Sequence, residues 1–338
     1  NTIKGRYIFL TMHHMVIDVV SLRVILLEDL KTLLSQTNNG KELLLPLKTT
    51  SYKEWVLALY EYAKGGHLNA ERKYWKELSD ATIPGLKENT KGEKFLVKDN
   101  SHASGRFSKD ETKVLTKEIT KVFDLDINHL LIAIVSKSIN IWKDLTTVLI
   151  DVEGHGREYI AEDIDVSRTI GWFTSVYPIK IEVISGAEIK EVITATKSSL
   201  NEIPNRGLGY GVLRYLVEDE SLVNCENKPE ISFNYLGQFK NENDNNLFEL
   251  VHHISDGESI SPDSERLYPL YITGFVTSDQ LNISVEYNHM EFEYQDIKDL
   301  VRIFSGVVEE LIDSYKVNEN ISDQVNSEEL DSILEELN

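Results

Sequence analysis

TVLIDVEGHGRE, residues 147–158, is the stretch on which the reading of this chain turns. Thr147 to Val152 is a short apolar run rich in β-branched residues, the pattern of a buried strand. It leads directly into Glu153, His155 and Arg157, with Gly154 and Gly156 on either side of the imidazole. Glycines there open backbone conformations closed to other residues and allow close approach to a ligand. A strand that ends in a carboxylate, an imidazole and a guanidinium is a common rigid support for acid–base chemistry. A polar turn carrying a solvated ion pair has the same look, so the rest of the chain has to decide.

Working outward, the spacing of apolar residues predicts a helix over Ile127 to Trp142, with Leu130, Leu131, Ile134, Ile141 and Trp142 turned inward. Downstream it predicts strands over Ser175–Val183, Glu230–Leu236, Tyr268–Val276 and Leu281–Tyr287, and helices over Ala187–Leu200 and Tyr210–Val217. A closing helix, Asp296–Tyr315, presents Ile297, Leu300, Val301, Phe304, Val308 and Leu311 on one side. Upstream, a buried strand is expected within Arg6–Met12, then a helix over Ser21–Leu34. A helical region over Tyr52–Leu78, interrupted at Gly65-Gly66, sends Trp55, Leu59, Tyr62, Tyr74 and Trp75 toward a core. Residues 79–100 are polar, carry Pro84, Gly85 and Gly92, and predict a crossover. The pattern is α/β, divided into 1–98, 99–316 and an acidic tail, 317–338.

A length of 338 residues suffices for two lobes. The formal net charge of −21 excludes nucleic acid and anionic membrane surfaces as partners, since both require basic patches. No apolar run reaches membrane-spanning length. A single cysteine, Cys225, excludes an internal disulfide, fits a reducing cytosol and makes a cytoplasmic location the expectation. In the tail, Leu330, Ile333, Leu334 and Leu337 recur at helical spacing behind Asn326 and Glu329, which stand at capping-box distance. This is a short amphipathic helix, read either as a docking segment or as a frayed end.

A second cluster, His13-His14-Met15-Val16-Ile17-Asp18, sits between the expected first strand and first helix. One histidine of such a pair can be held by packing while the other faces a cleft, with Asp18 favoured near a helix start. Two satisfied core histidines and a capping aspartate fit as well. A metal site finds little support: HExxH and cysteine pairs are absent, and His252-His253 lies in a polar stretch. Gly207, Gly209 and Gly211 do not follow a strand with dinucleotide-fingerprint spacing, and there is no GxSxG elbow. Asn234-Tyr235 reads equally as an ordinary strand pair.

Taken together, these residues resemble a known family. HHMVIDVVSLRVILLEDL (13–30) is similar to the HHxxxDG-type core of condensation-superfamily domains of nonribosomal peptide synthetases. DVEGHGRE (151–158), IGWFTSVYP (170–178), PNRGLGYGVLRYL (204–216) and FNYLGQF (233–239) resemble the signature blocks of the epimerization domains of that superfamily, in the same order. The resemblance implies a two-lobed, chloramphenicol-acetyltransferase-like α/β fold with the site at the seam. Much of the N-terminal lobe is expected to be missing. It implies inversion of the α-carbon of an aminoacyl or peptidyl thioester held on the phosphopantetheine arm of a peptidyl carrier protein. His14, Glu153 and Tyr235 are then the catalytic candidates, and His13, Asp18 and Asn234 shape the site. No cofactor or metal belongs to this chain, and a downstream synthetase is a further expected partner of the tail. The alternatives are a condensation-type, peptide-bond-forming domain or an inactive domain that only binds carrier.

The sequence departs from the family pattern at Val19, where glycine is usual, and at Leu22, where tryptophan is usual. If position 19 takes a positive φ, a β-branched residue there costs roughly 1–3 kcal/mol and re-aims His14.

Overall fold

A computed structural model describes residues 9–66, 68–86, 95–225, 227–239 and 260–336. After a short 3₁₀ turn at His14–Val16, a π-helical segment, Ser21–Leu26, continues as α1 (Leu27–Asn38). Helices α2 (Tyr52–Lys64) and α3 (Leu68–Asp80) follow, separated at Gly65-Gly66 as the spacing requires. Ser51 and Glu54 close a reciprocal capping box at the start of α2. Strand β1 (Asn100–Arg106) leads into α4 (Lys109–Lys113), a π-helical turn Val114–Ile119 and α5 (Thr120–Phe123). Then come α6 (Ile127–Lys143), β2 (Thr147–Gly154), β3 (Ser175–Glu182) and α7 (Ile189–Asn201). The last third holds α8 (Leu208–Gly211) with its π-helical extension Val212–Leu216, α9 (Glu220–Val223), β4 (Ile231–Phe239), β5 (Leu270–Thr277), β6 (Gln280–Asn288) and α10 (Tyr294–Glu336).

The strands form one six-stranded mixed sheet in the order β1-β6-β5-β4-β2-β3. The pairs β2–β4 and β4–β5 are parallel and the others antiparallel. Along β2, Val148, Ile150 and Val152 are buried on one face while Leu149, Asp151 and Glu153 take the other, the two-residue period of a pleated strand. Helices α6, α7 and α10 pack together on the first face. There Leu130, Leu131, Ile134, Ile297, Leu300, Phe304, Val308 and Leu311 join the strands in a contiguous core. At the β2–β3 edge α3 and α8 cover the second face, where Trp75 and Tyr210 pack together beside Leu149 and Pro178. At the C-terminal end of β2 Glu153 is exposed, and Asn234 on the neighbouring β4 is half-buried.

Several expectations are corrected. The described part of the expected first strand, Phe9 to Met12, pairs with no described strand, and Phe9 is 72% exposed. A lone extended segment without a sheet neighbour does not become a strand, however apolar it is. Ile141, in the last turn of α6, faces outward rather than inward, while Trp142 beside it packs on the core. β1 begins at Asn100, where the expected crossover ends, in a stretch for which no strand was expected. Its sequence NSHASGR buries only Ala103, as befits an edge strand with a solvated face. Val19 takes no positive φ, so the β-branched residue there carries none of the expected strain. α10 runs unbroken through Asn326, so that residue caps no new helix start. The side chains of Leu330, Ile333, Leu334 and Leu337, and the His252-His253 pair, lie outside the described residues.

Candidate active site

Two segments far apart in sequence meet at the end of β2. Asp18 is 3% exposed and accepts hydrogen bonds from the Ser21 N–H (2.7 Å) and the Phe173 N–H (3.1 Å). The Arg157 guanidinium grips it with both terminal nitrogens, at 2.7 and 3.3 Å. Arg157 also donates to the Ser21 hydroxyl (2.9 Å) and the Thr169 carbonyl (3.0 Å), and lies over the Phe173 ring at 4.0 Å. Burial by itself pushes the Asp18 carboxyl up, but the bonds from Arg157, Ser21 and Phe173 outweigh it and hold the carboxyl below its ordinary value. Ser21 further ties this knot to the Gly171 backbone, as donor at 3.0 Å and acceptor at 3.1 Å.

Gly156 is what lets the turn after Glu153 close onto this knot. Its φ is +66°, and a Cβ there would fall 1.6 Å from the Phe173 carbonyl oxygen, so the position admits glycine alone. The closed turn brings the His155 Nδ1 to accept from the Arg157 N–H at 3.0 Å, and its Nε2 lies 3.3 Å from Glu158.

The histidine pair lies just upstream of the Asp18 knot. His13 caps the 3₁₀ turn, its Nδ1 accepting from the Met15 N–H at 3.2 Å. His14 opens that turn, is exposed, and meets the Trp172 ring with centroids 4.8 Å apart at 63°. Across from it stands Glu153, reachable by water yet crowded by protein. Burial raises its carboxyl above the ordinary value, opposed by the charge of His14 and by a hydrogen bond from Asn234. The Asn234 side-chain amide donates to Glu153 Oε2 at 2.7 Å. Val176, the register partner of Glu153 on β3, shares its face.

The structure thus brings together His14, Glu153 and Asn234, with His13 and Asp18 in the supporting turn. Tyr235 is placed apart from them. Val152 pairs with Phe233, so the next position, Asn234, flanks Glu153, and Tyr235 falls on the opposite face. Its ring packs beside Gly274, in space shared with Leu131 of α6, and burial raises its hydroxyl pKa. Arg157, Ser21 and Trp172 are the residues that motif reading left without a role. Ser21 at the third position after Asp18 was the one local signal, since that spacing suits an aspartate cap. Among the described residues no His, Cys, Asp and Glu group has the arrangement of a metal site, and no helix is long and apolar enough to cross a membrane.

A family model described as "Condensation domain" matches residues 2–334. The chain belongs to the condensation-domain family. Within it, the chain is similar to surfactin synthase subunit 2 of Bacillus subtilis (strain 168), at 34% identity over 90% of this chain and 8% of that protein. Gramicidin S synthase 1 of Brevibacillus brevis is 32% identical over 90% of this chain and 28% of that protein. This condensation-family chain therefore spans a small part of the curated relatives it matches. Among solved structures, the epimerization domain from the third module of tyrocidine synthetase B superposes with a TM-score of 0.81 at 32% identity, covering 90% of this chain and 68% of that one. The first condensation domain of the CDA synthetase superposes with a TM-score of 0.63 at 17% identity, covering 88% and 63%. That second likeness carries the fold alone.

Proposed function

We propose that this domain inverts the α-carbon of an aminoacyl or peptidyl thioester delivered on the phosphopantetheine arm of a carrier protein, as a step of nonribosomal peptide synthesis. The observation that carries the reading is Glu153: a carboxyl raised by burial at a strand end, bonded to Asn234 and close enough to His14 to feel its charge. The higher superposition score and identity with an epimerization domain than with a condensation domain support the same choice.

Inversion removes a proton from one face of the α-carbon and returns one to the other face. The thioester carbonyl takes up the electron pair as an enolate, which the second proton transfer discharges. Glu153 as carboxylate accepts the C–H proton, and His14 as imidazolium delivers one to the other face; the reverse direction exchanges the roles. A carboxyl raised toward neutrality is a stronger base than an ordinary one, and therefore better matched to a weakly acidic C–H bond. Asn234 keeps the carboxylate aimed. Asp18, Arg157 and His13 hold the turn from which His14 projects. Tyr235, on the far face, has no part in the transfer.

The test is solvent exchange. With an L-aminoacyl carrier thioester in D₂O, the domain washes deuterium into the α-position and drives the substrate toward an L/D mixture. Absence of exchange above a His14→Ala, Glu153→Gln double variant would remove the assignment. An amide product formed when a second aminoacyl carrier is added, without exchange, would replace it with peptide-bond formation.

A further inference from the structure

Trp172 occupies an unusual place. Its neighbours are locked: Gly171 to the Ser21 hydroxyl through both its N–H and its carbonyl, and Phe173 to Asp18 through its N–H. The Trp172 carbonyl itself accepts from the Tyr52 hydroxyl at 2.7 Å. Gly171 leaves no slack, since a Cβ there would fall 2.3 Å from the Tyr52 ring. Between these fixed points the Trp172 indole is 45% exposed, although an apolar ring of that size gains from burial. A backbone fixed at three successive residues therefore holds a large ring out at the surface, and what that ring meets is His14.

His14 needs such a contact. It sits on a three-residue turn at the surface, where a side chain has two torsions free unless something restricts them. An aromatic wall at 4.8 Å and 63° removes the rotations that would carry the ring into it. The wall is anchored to the Asp18–Ser21–Arg157 knot, and Asp18 follows directly on Ile17, whose N–H donates to the His14 carbonyl at 3.2 Å. Side chain and support cannot drift independently.

We propose that Trp172 is a positioning residue that holds the His14 imidazole facing Glu153. Its relevance to proton transfer rests on the function proposed above; its contact with His14 does not. A ring that has lost its wall still lets substrate bind but spends less time in the transfer geometry, so the effect falls on kcat and spares KM.

The experiment uses the full chain labelled at its nine histidines, with His14→Gln assigning the His14 resonances. Trp172→Leu removes the aromatic wall, and Trp172→Phe keeps a smaller one. The imidazole C–H resonances of His14 shift in Trp172→Leu through loss of the indole ring current and stay closer to wild type in Trp172→Phe. In the exchange assay Trp172→Leu lowers kcat by about tenfold or more at unchanged KM, and Trp172→Phe restores most of it. Coincident His14 resonances in wild type and Trp172→Leu would overturn the proposal, as would an unchanged kcat or equal losses in both variants. If wild type shows no exchange at all, the epimerase reading fails while the resonance comparison still decides the contact.

Discussion

Asp18 and Glu153 are both carboxylates facing a basic residue across the same junction, and the fold treats them in opposite ways. Asp18 is sealed in, bonded twice by Arg157, once each by the Ser21 and Phe173 N–H groups, and held below its ordinary pKa. Glu153 accepts from Asn234, faces His14 without sealing, and is raised above its ordinary pKa. The basic partners differ in kind: a guanidinium that never gives up its proton, against an imidazole that can. Saturating hydrogen bonds make a carboxylate static, whereas desolvation with few bonds makes it ready to take a proton. The first pair holds the junction together so that the second can react.

The contrast breaks most visibly in catalysis. Glu153→Gln keeps the shape and the Asn234 neighbour but removes the base. Exchange should fall by about 10²–10⁴, with the denaturation midpoint unchanged. Arg157→Met should do the reverse, costing about 3–5 kcal/mol in denaturant unfolding because it leaves the Asp18 charge buried and unpaired. Pairing it with Asp18→Asn should recover part of that loss, a coupling readable in a double-mutant cycle.

A third carboxylate sharpens the comparison. Asp151, two residues before Glu153 on the same face of β2, is pushed up to about 6 by burial, opposed by the Tyr268 hydroxyl at 2.7 Å and by the charge of Arg214. A raised carboxyl stabilises the fold while it is protonated. Its contribution is complete below the unfolded value near 3.8 and is lost as pH rises through about 6. Asp151→Asn should therefore match wild type below pH 4 and exceed it by roughly 3 kcal/mol above pH 7, measured by urea unfolding across that range. Asp18 has the opposite sign: its contribution is present above its unfolded value and disappears as pH falls through its lowered one. The smallest effect is expected at Tyr235→Phe, with exchange within about threefold of wild type, less than 1 kcal/mol.

How much of this was legible in the sequence follows the reach of the interactions. The helix and strand periods around 127–158 located the core and the Glu153 turn, because burial on one face leaves a local pattern. β1 was missed, since an edge strand that buries one alanine leaves almost no apolar alternation. The Asp18–Arg157 pair spans 139 residues and no local spacing announces it. The two-residue period already meant that only one of Asn234 and Tyr235 could share a face with Glu153. Which one depended on the Val152–Phe233 register, and that is set by the packed sheet rather than by either strand alone. The described part of the strand expected before His13, Phe9 to Met12, finds no described partner on the same ground, since apolar content does not supply one.

A ¹³C carboxyl titration of Glu153 and Asp18, in the wild-type chain and in His14→Gln, decides whether one carboxylate at this junction is poised and the other locked. The account predicts a Glu153 midpoint above the ordinary 4.5 that moves further up when the charge of His14 is removed, and an Asp18 midpoint below 3.8 that stays put. A Glu153 midpoint at or below the ordinary value, or one indifferent to His14, would contradict it.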